Sequence, residues 1–162
     1  MRGLLAALLA VIIAAPSVAA ESEEERAAAA LEASCGAATL VAAAECLRAT
    51  LSDEDHAAIV ESEYSSLIRF HFGLGMGLRN QWGLWGYSTP IAKYLAEAGV
   101  EHPDNMSGVI INSYWLHHNV CSLDRDDAVE AYLDFENALK PVDMSQRAQV
   151  LKTAGEYLEC DA

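Results

Sequence analysis

YSSLIRFHFGLGMGLRNQWGLW, Tyr64–Trp85, is the stretch on which the reading of this chain turns. It concentrates two of the three Trp, two of the three Phe and four of the ten Gly, while its flanks are mostly alanine-rich or acidic. Tyr64, Leu67, Ile68, His71, Leu74, Gly75 and Leu78 recur in steps of three and four, the spacing of one helical face. The spacing therefore predicts a central helix from Glu63 to about Asn80, with Ser62 as its cap. His71, Gly75 and Arg79 form a column on or beside that stripe, and Gly75 leaves a notch between an imidazole and a guanidinium. Gly73, Gly75 and Gly77 each cost about 1 kcal/mol against Ala in a helix interior. Either a second helix crossing closely over them or a ligand or loop lying in the notch would offset that cost. The order G-x-G-x-G is not the dinucleotide fingerprint, and no strand precedes it.

Beyond the stretch, the loop Gln81–Ser88 holds Trp82 and Trp85, whose rings are expected to fold back over the core. Thr89-Pro90 opens a helix with Thr89 as cap and Pro90 at the first position, burying Ile91, Tyr94, Leu95 and Ala98 up to Gly99. A helix from about Asp104 to His118 follows Pro103. Met106, Val109, Ile110 and Tyr114 line it, Ile111 and Trp115 widen its apolar surface, and it is expected to be central. His117 and His118 point about 100° apart on such a helix and do not readily share a metal. Helices Arg125–Leu139, capped by Asp124 or Ser122, and Met144–Glu159, capped by Asp143, close the chain. Their inward stripes are Ala128, Tyr132, Phe135 and Leu139, then Met144, Ala148, Leu151 and Leu158.

Toward the N-terminus, Ser52 and Asp55 make a capping signal for a short helix Asp53–Glu61, on which His56 is expected to be exposed. Glu21–Ser34 and Ala38–Thr50 read as a helical hairpin about Gly36. Leu40, Val41, Ala44 and Leu47 lie on one side of its second arm. Residues 1–20 have a basic start, a short apolar run and small residues near Ala19 and Ala20, which together mark a cleaved signal peptide. The protein is thus expected to be exported, periplasmic or secreted, with no stable membrane insertion after signal cleavage.

A mature chain of about 140 residues suits one all-α domain of about seven helices. Its parts are a hairpin at 21–50, a core at 51–120 and a C-terminal hairpin at 121–162 packed on that core. The formal net charge of −14 argues against nucleic acid and anionic lipid as partners. Four cysteines in an exported chain predict two disulfides. Cys121 and Cys160 stand at the open end of the last hairpin, so a short connection between antiparallel helices brings them level. Cys35 and Cys46 then pair by elimination.

His71-Phe72-Gly73-Leu74-Gly75-Met76, Arg79-Asn80, Trp82-Gly83-Leu84-Trp85 and His102-Pro103-Asp104-Asn105-Met106-Ser107 form an ordered set. Over about Leu51–Val120 this resembles a bacterial domain family of unknown function, DUF6794. In that family the pattern is similar to H-F-G-L-G-M, an aromatic, one more residue and R-N, then G-L-W and H-P-D-D-M-S. Gly77 stands where the resemblance implies an aromatic, and Asn105 where it implies a second aspartate. The first widens the notch and the second removes a carboxylate from any metal site. The resemblance implies shared structure and supplies no reaction.

The candidate ligand-binding set is His71, Gly75, Arg79, Asn80, His102, Asp104 and Ser107. His and Asp suit proton transfer, and Arg79 suits a carboxylate or phosphate. Each also has a structural role open to it: His71 donating to a carbonyl, Arg79 pairing with an acid, Asp104 or Ser107 capping a helix. No zincin, nucleophile-elbow, Walker or EF-hand motif occurs, and no catalytic residue, metal or cofactor is assigned. The sequence favours an exported acidic binding or interaction module, its partner a protein or a small polar ligand. The alternative is a small envelope hydrolase using His71, His102 and Asp104.

Overall fold

The computed structural model describes residues 21–158. The expected signal peptide lies outside them, as does Cys160 and with it the expected Cys121–Cys160 bond. Eight α-helices and no strand occur among the described residues. They are α1 (Glu23–Ala33), α2 (Leu40–Thr50), α3 (Asp53–Val60), α4 (Met76–Gln81), α5 (Pro90–Glu97), α6 (Pro103–Asn119), α7 (Ala128–Leu139) and α8 (Arg147–Tyr157). None is long and apolar enough to cross a membrane.

α6 is the axis. Met106, Ile110, Tyr114, Trp115 and Leu116 on it are fully buried, so its apolar surface runs almost all round, as a central helix requires. α2 makes the most extensive contact with it. Leu40, Ala43, Ala44 and Leu47 face inward from α2, and the alanines let the two backbones approach. One apolar cluster runs from Ala37 to Leu158 and includes the C-terminal α7–α8 pair.

The caps on the N-terminal side follow the sequence. Ser22 and Glu25 form a reciprocal capping box on α1. Ser52 accepts from the Asp55 amide at the start of α3. Between α1 and α2 the chain turns through Cys35 and Gly36, both at positive φ, and the Cys35–Cys46 disulfide spans the turn.

The expected central helix is not one helix. It divides into a 3-10 segment Tyr64–Phe70, a π turn His71–Gly75 and the α-helical α4. A 3-10 segment has three residues per turn. Tyr64 and Leu67 therefore stack inward with Phe70 beside them, while Ile68, expected on the buried stripe, turns out to solvent. Ser62 does not cap this segment: its hydroxyl donates to the Ala58 carbonyl at the end of α3.

Several other local expectations are corrected. Trp82 is buried but Trp85 is 57% exposed, because the left-handed Gly83 redirects the loop between them. A side chain at Gly83 would meet Ser88 Oγ at 2.0 Å, so only glycine fits the turn. Thr89 stands at the N-cap of α5 with Pro90 following, as expected, but its hydroxyl donates to the Trp82 carbonyl at 2.8 Å rather than closing the helix end. Ala92 replaces Ala98 on the inner face of α5. α7 begins at Ala128, and neither Asp124 nor Ser122 caps it. α8 begins at Arg147, because Asp143 Oδ1 is used locally by the Ser145 amide and hydroxyl. Met144 and Ala148 consequently lie outside, and Val150, Ala154 and Leu158 form the inner stripe.

The C-terminal end of α3 is closed by cations, which suit exposed helix carbonyls. Arg69 Nη2 donates to the Ala58 carbonyl at 3.1 Å. Arg147 donates to the Val60 and Ser62 carbonyls and to Asn119 Oδ1, with its guanidinium 5.0 Å from the Trp115 ring centroid. The Trp115 indole also donates to Ser62 O at 3.0 Å.

Candidate functional site

The π turn and α4 lie against the start of α6, and this junction gathers the candidate residues. Arg79 Nε donates to Asp104 Oδ1 at 3.0 Å, while Nη1 reaches Ser107 Oγ at 3.1 Å and the His71 carbonyl at 3.3 Å. Ser107 is fully buried, and its own hydroxyl donates to the Asp104 carbonyl at 2.9 Å. A Cβ at Gly75 would stand 3.1 Å from Arg79 Nη1, so the notch left by the missing side chain holds the guanidinium of the chain itself. A side chain added at Gly73 or Gly77 would meet nothing within 4 Å, so of the three glycines only Gly75 permits a close approach.

Both imidazoles approach the same carboxylate. His71 Nε2 is 3.6 Å from Asp104 Oδ1, and His102 Nδ1 is 3.6 Å from Oδ2. α6 begins at Pro103, one residue earlier than expected, with His102 as its cap: Nδ1 accepts from the Asp104 amide at 3.2 Å. The Asp104 side chain is thereby left for Arg79. Asn80 joins at the rim, where its Oδ1 accepts from the Trp85 indole at 3.2 Å and the Trp85 ring meets the His102 ring edge-on.

This knot sits under an apolar outer surface. Ile68, Phe72 and Met76 are spaced four apart and are 72%, 79% and 52% exposed. Large apolar side chains left exposed this close together in the chain commonly mark a contact surface on a small protein.

Two further clusters were not singled out in the sequence. In the first, the Tyr64 and Tyr132 hydroxyls both donate to Glu136 Oε1, the latter at 3.0 Å, and Asn112 Nδ2 donates to the Tyr132 hydroxyl at 3.0 Å. Burial pushes both phenols well above their ordinary range and keeps them protonated donors. Glu136 follows the inward-facing Tyr132 by one helical turn, a spacing that could have flagged the pair. In the second, His56, expected to be exposed, turns inward. Its Nδ1 is 2.6 Å from the Tyr114 hydroxyl, and its ring meets His118 edge-on. Burial lowers His118 to about 4, helped by His117, His56 and Arg48, and its buried Nε2 has no hydrogen-bond partner among the described residues. Among the described residues, no group of three or more His, Cys, Asp or Glu side chains is placed to hold a metal ion.

A family model described as a domain of unknown function, DUF6794, matches residues 38–118. The chain belongs to that family. The DUF6794 match begins earlier than the resemblance suggested and takes in α2 with Cys46, so one end of the Cys35–Cys46 bond lies inside the domain. It ends at the last turn of α6, which places the whole Arg79–Asp104 junction within the DUF6794 segment and α7 and α8 beyond it. No curated protein and no solved structure is significantly similar to the chain.

Proposed function

We propose that the protein is an exported acidic binding module that docks on a protein partner through Ile68, Phe72 and Met76. The observation that carries this reading is the exposure of that apolar column, with Phe72 at 79%. Behind it, Arg79 is tied to Asp104, Ser107 and the His71 carbonyl, so the column rests on a fixed support. The net charge of −14 favours a partner whose apolar face has a basic rim, since opposite potentials steer encounter and suppress wrong partners. Export rests on the signal-like features of residues 1–20.

The approach of both imidazoles to Asp104 favours a second reading, an envelope hydrolase using His71, His102 and Asp104. Against it, the neighbouring Ser107 hydroxyl is buried and already both donates and accepts, which leaves it poorly placed as a nucleophile.

A photo-crosslinking residue at position 72, in protein exported by its own cells, tests the first reading. A single adduct that re-forms from purified components and is lost with Met76→Ser is the expected result. No adduct, or adducts unaffected by Met76→Ser, would overturn it. Ester or amide turnover abolished by His71→Ala would establish the second reading instead.

A further inference from the structure

Glu136 on α7 stands between two open clefts. One, of about 200 Å³, is lined by residues including Tyr64, Leu67, Ile68, Ile111 and Met144. The other, of about 370 Å³, includes Val100, Val109, Tyr132 and Leu133. Gly108, Asn112 and Glu136 line both and form the ridge between them. We propose that this double cleft is a binding site for an alkylammonium or guanidinium group, carried by a lysine or arginine side chain or by a free amine. The cleft shares Ile68 with the proposed docking surface, but the assignment rests on Glu136 and does not require that docking role.

Four observations support the assignment. The carboxylate is preorganised: Tyr64 and Tyr132 both donate to Oε1, and Asn112 fixes Tyr132 in turn. No hydrogen bond to Oε2 occurs among the described residues, so one carboxylate oxygen remains to accept from a ligand. Among the described residues no lysine or arginine lines either cleft, His71 at the rim of the first being paired toward Asp104, and a half-buried carboxylate favours a cation and repels an anion. Leu67, Ile68, Ile111 and Met144 suit the methylene stem of such a ligand.

The test is a backbone-amide NMR titration of the exported chain with N-acetyl-lysine methylamide, N-acetyl-arginine methylamide and cadaverine. The uncharged N-acetyl-norleucine methylamide is the control. Saturable shifts at Gly108, Asn112 and Glu136 are expected with the cationic probes only. Response to the amino-acid amides but not cadaverine assigns the site to a protein side chain, and the reverse assigns it to a free amine. Glu136→Gln keeps an acceptor for both phenols and should weaken binding about tenfold or more, since a charge-assisted contact becomes neutral. Gly108→Val should narrow the ridge and weaken binding of the cationic probes, since the Cβ itself meets nothing within 4 Å. Equal binding of the norleucine amide, unchanged binding by Glu136→Gln, or no saturable shift with any cation would overturn the proposal.

Discussion

Arg79 and Asp104 meet at 3.0 Å where α4 crosses the start of α6, and the guanidinium is almost wholly buried while the carboxylate stays 41% exposed. Truncating the arginine empties the space over Gly75 and removes the donors to Ser107 Oγ and the His71 carbonyl. Arg79→Ala should therefore cost about 2–3 kcal/mol, less than a fully buried pair because water still reaches Asp104. The urea midpoint at neutral pH measures it, and an unshifted midpoint would remove Arg79 from the structural support of this junction.

The glycines of the same segment should respond differently to added bulk. Gly75→Leu forces a side chain against Arg79 Nη1 and the Phe70 carbonyl and should cost about 1–3 kcal/mol. Gly77→Ala in α4 meets open space and should stabilise by up to about 1 kcal/mol. Opposite shifts in thermal midpoint check the pair. Destabilisation by both substitutions would contradict the close approach assigned to Gly75 alone.

His118 should make stability depend on acid. Its folded value of about 4 lies below the ordinary 6.5, so the unfolded chain binds the proton first as pH falls. Its stabilising contribution is complete above pH 6.5 and is lost progressively toward pH 4, by about 1–2 kcal/mol once solvent screening of this partly buried ring is allowed for. Comparing urea midpoints at the two ends of that window in the wild type and in His118→Gln isolates the contribution. An equal loss in both would assign the acid sensitivity elsewhere.

Reduction of Cys35–Cys46 should act mainly on α1, of which Ala30 is the buried residue. A loop of this length contributes about 3 kcal/mol or less in the chain-entropy model. In Cys35→Ala/Cys46→Ala, amide exchange in α1 should accelerate sharply while the α6 amides keep their protection. Equal acceleration in both helices would show instead that the bond holds the core.

The helical architecture and the core of α6 were legible because the buried residues there follow regular helical spacing: Met106, Val109, Ile110 and Tyr114 all lie where that spacing puts them. Cys35–Cys46 was reached only by elimination, because Cys46 lies inside α2 and nothing local in the sequence sets Cys35 beside it. Tyr64–Trp85 misled where the helical period changed, and Ile68 shows why: its position is buried at 3.6 residues per turn and exposed at three. Met144 and Ala148 misled because the Asp143 side chain serves a local turn, which delays α8. The candidate residues were legible as a group, yet their pairing was not. That Asp104 meets Arg79 while His102 does the capping depends on how two distant segments cross. Glu136 was hidden because Tyr64, one of the two phenols that donate to it, lies on another segment, as does Asn112, which donates to the other, Tyr132.

The π turn His71–Gly75 also has a consequence for sequence length. Such a turn accommodates extra chain within a helical path, so it works as a phase adjuster between the 3-10 segment and α4. Removing one residue from it would rotate every side chain of α4 by about 100° about the helix axis. Arg79 would swing away from Asp104, and Met76 would leave the line of Ile68 and Phe72. Spacing between Phe70 and Met76 is thus constrained as tightly as residue identity: the Arg79–Asp104 pair and the exposed apolar side chains stay in step only at this count. Chains with one residue fewer here would need a different partner for Asp104, even with every motif residue retained.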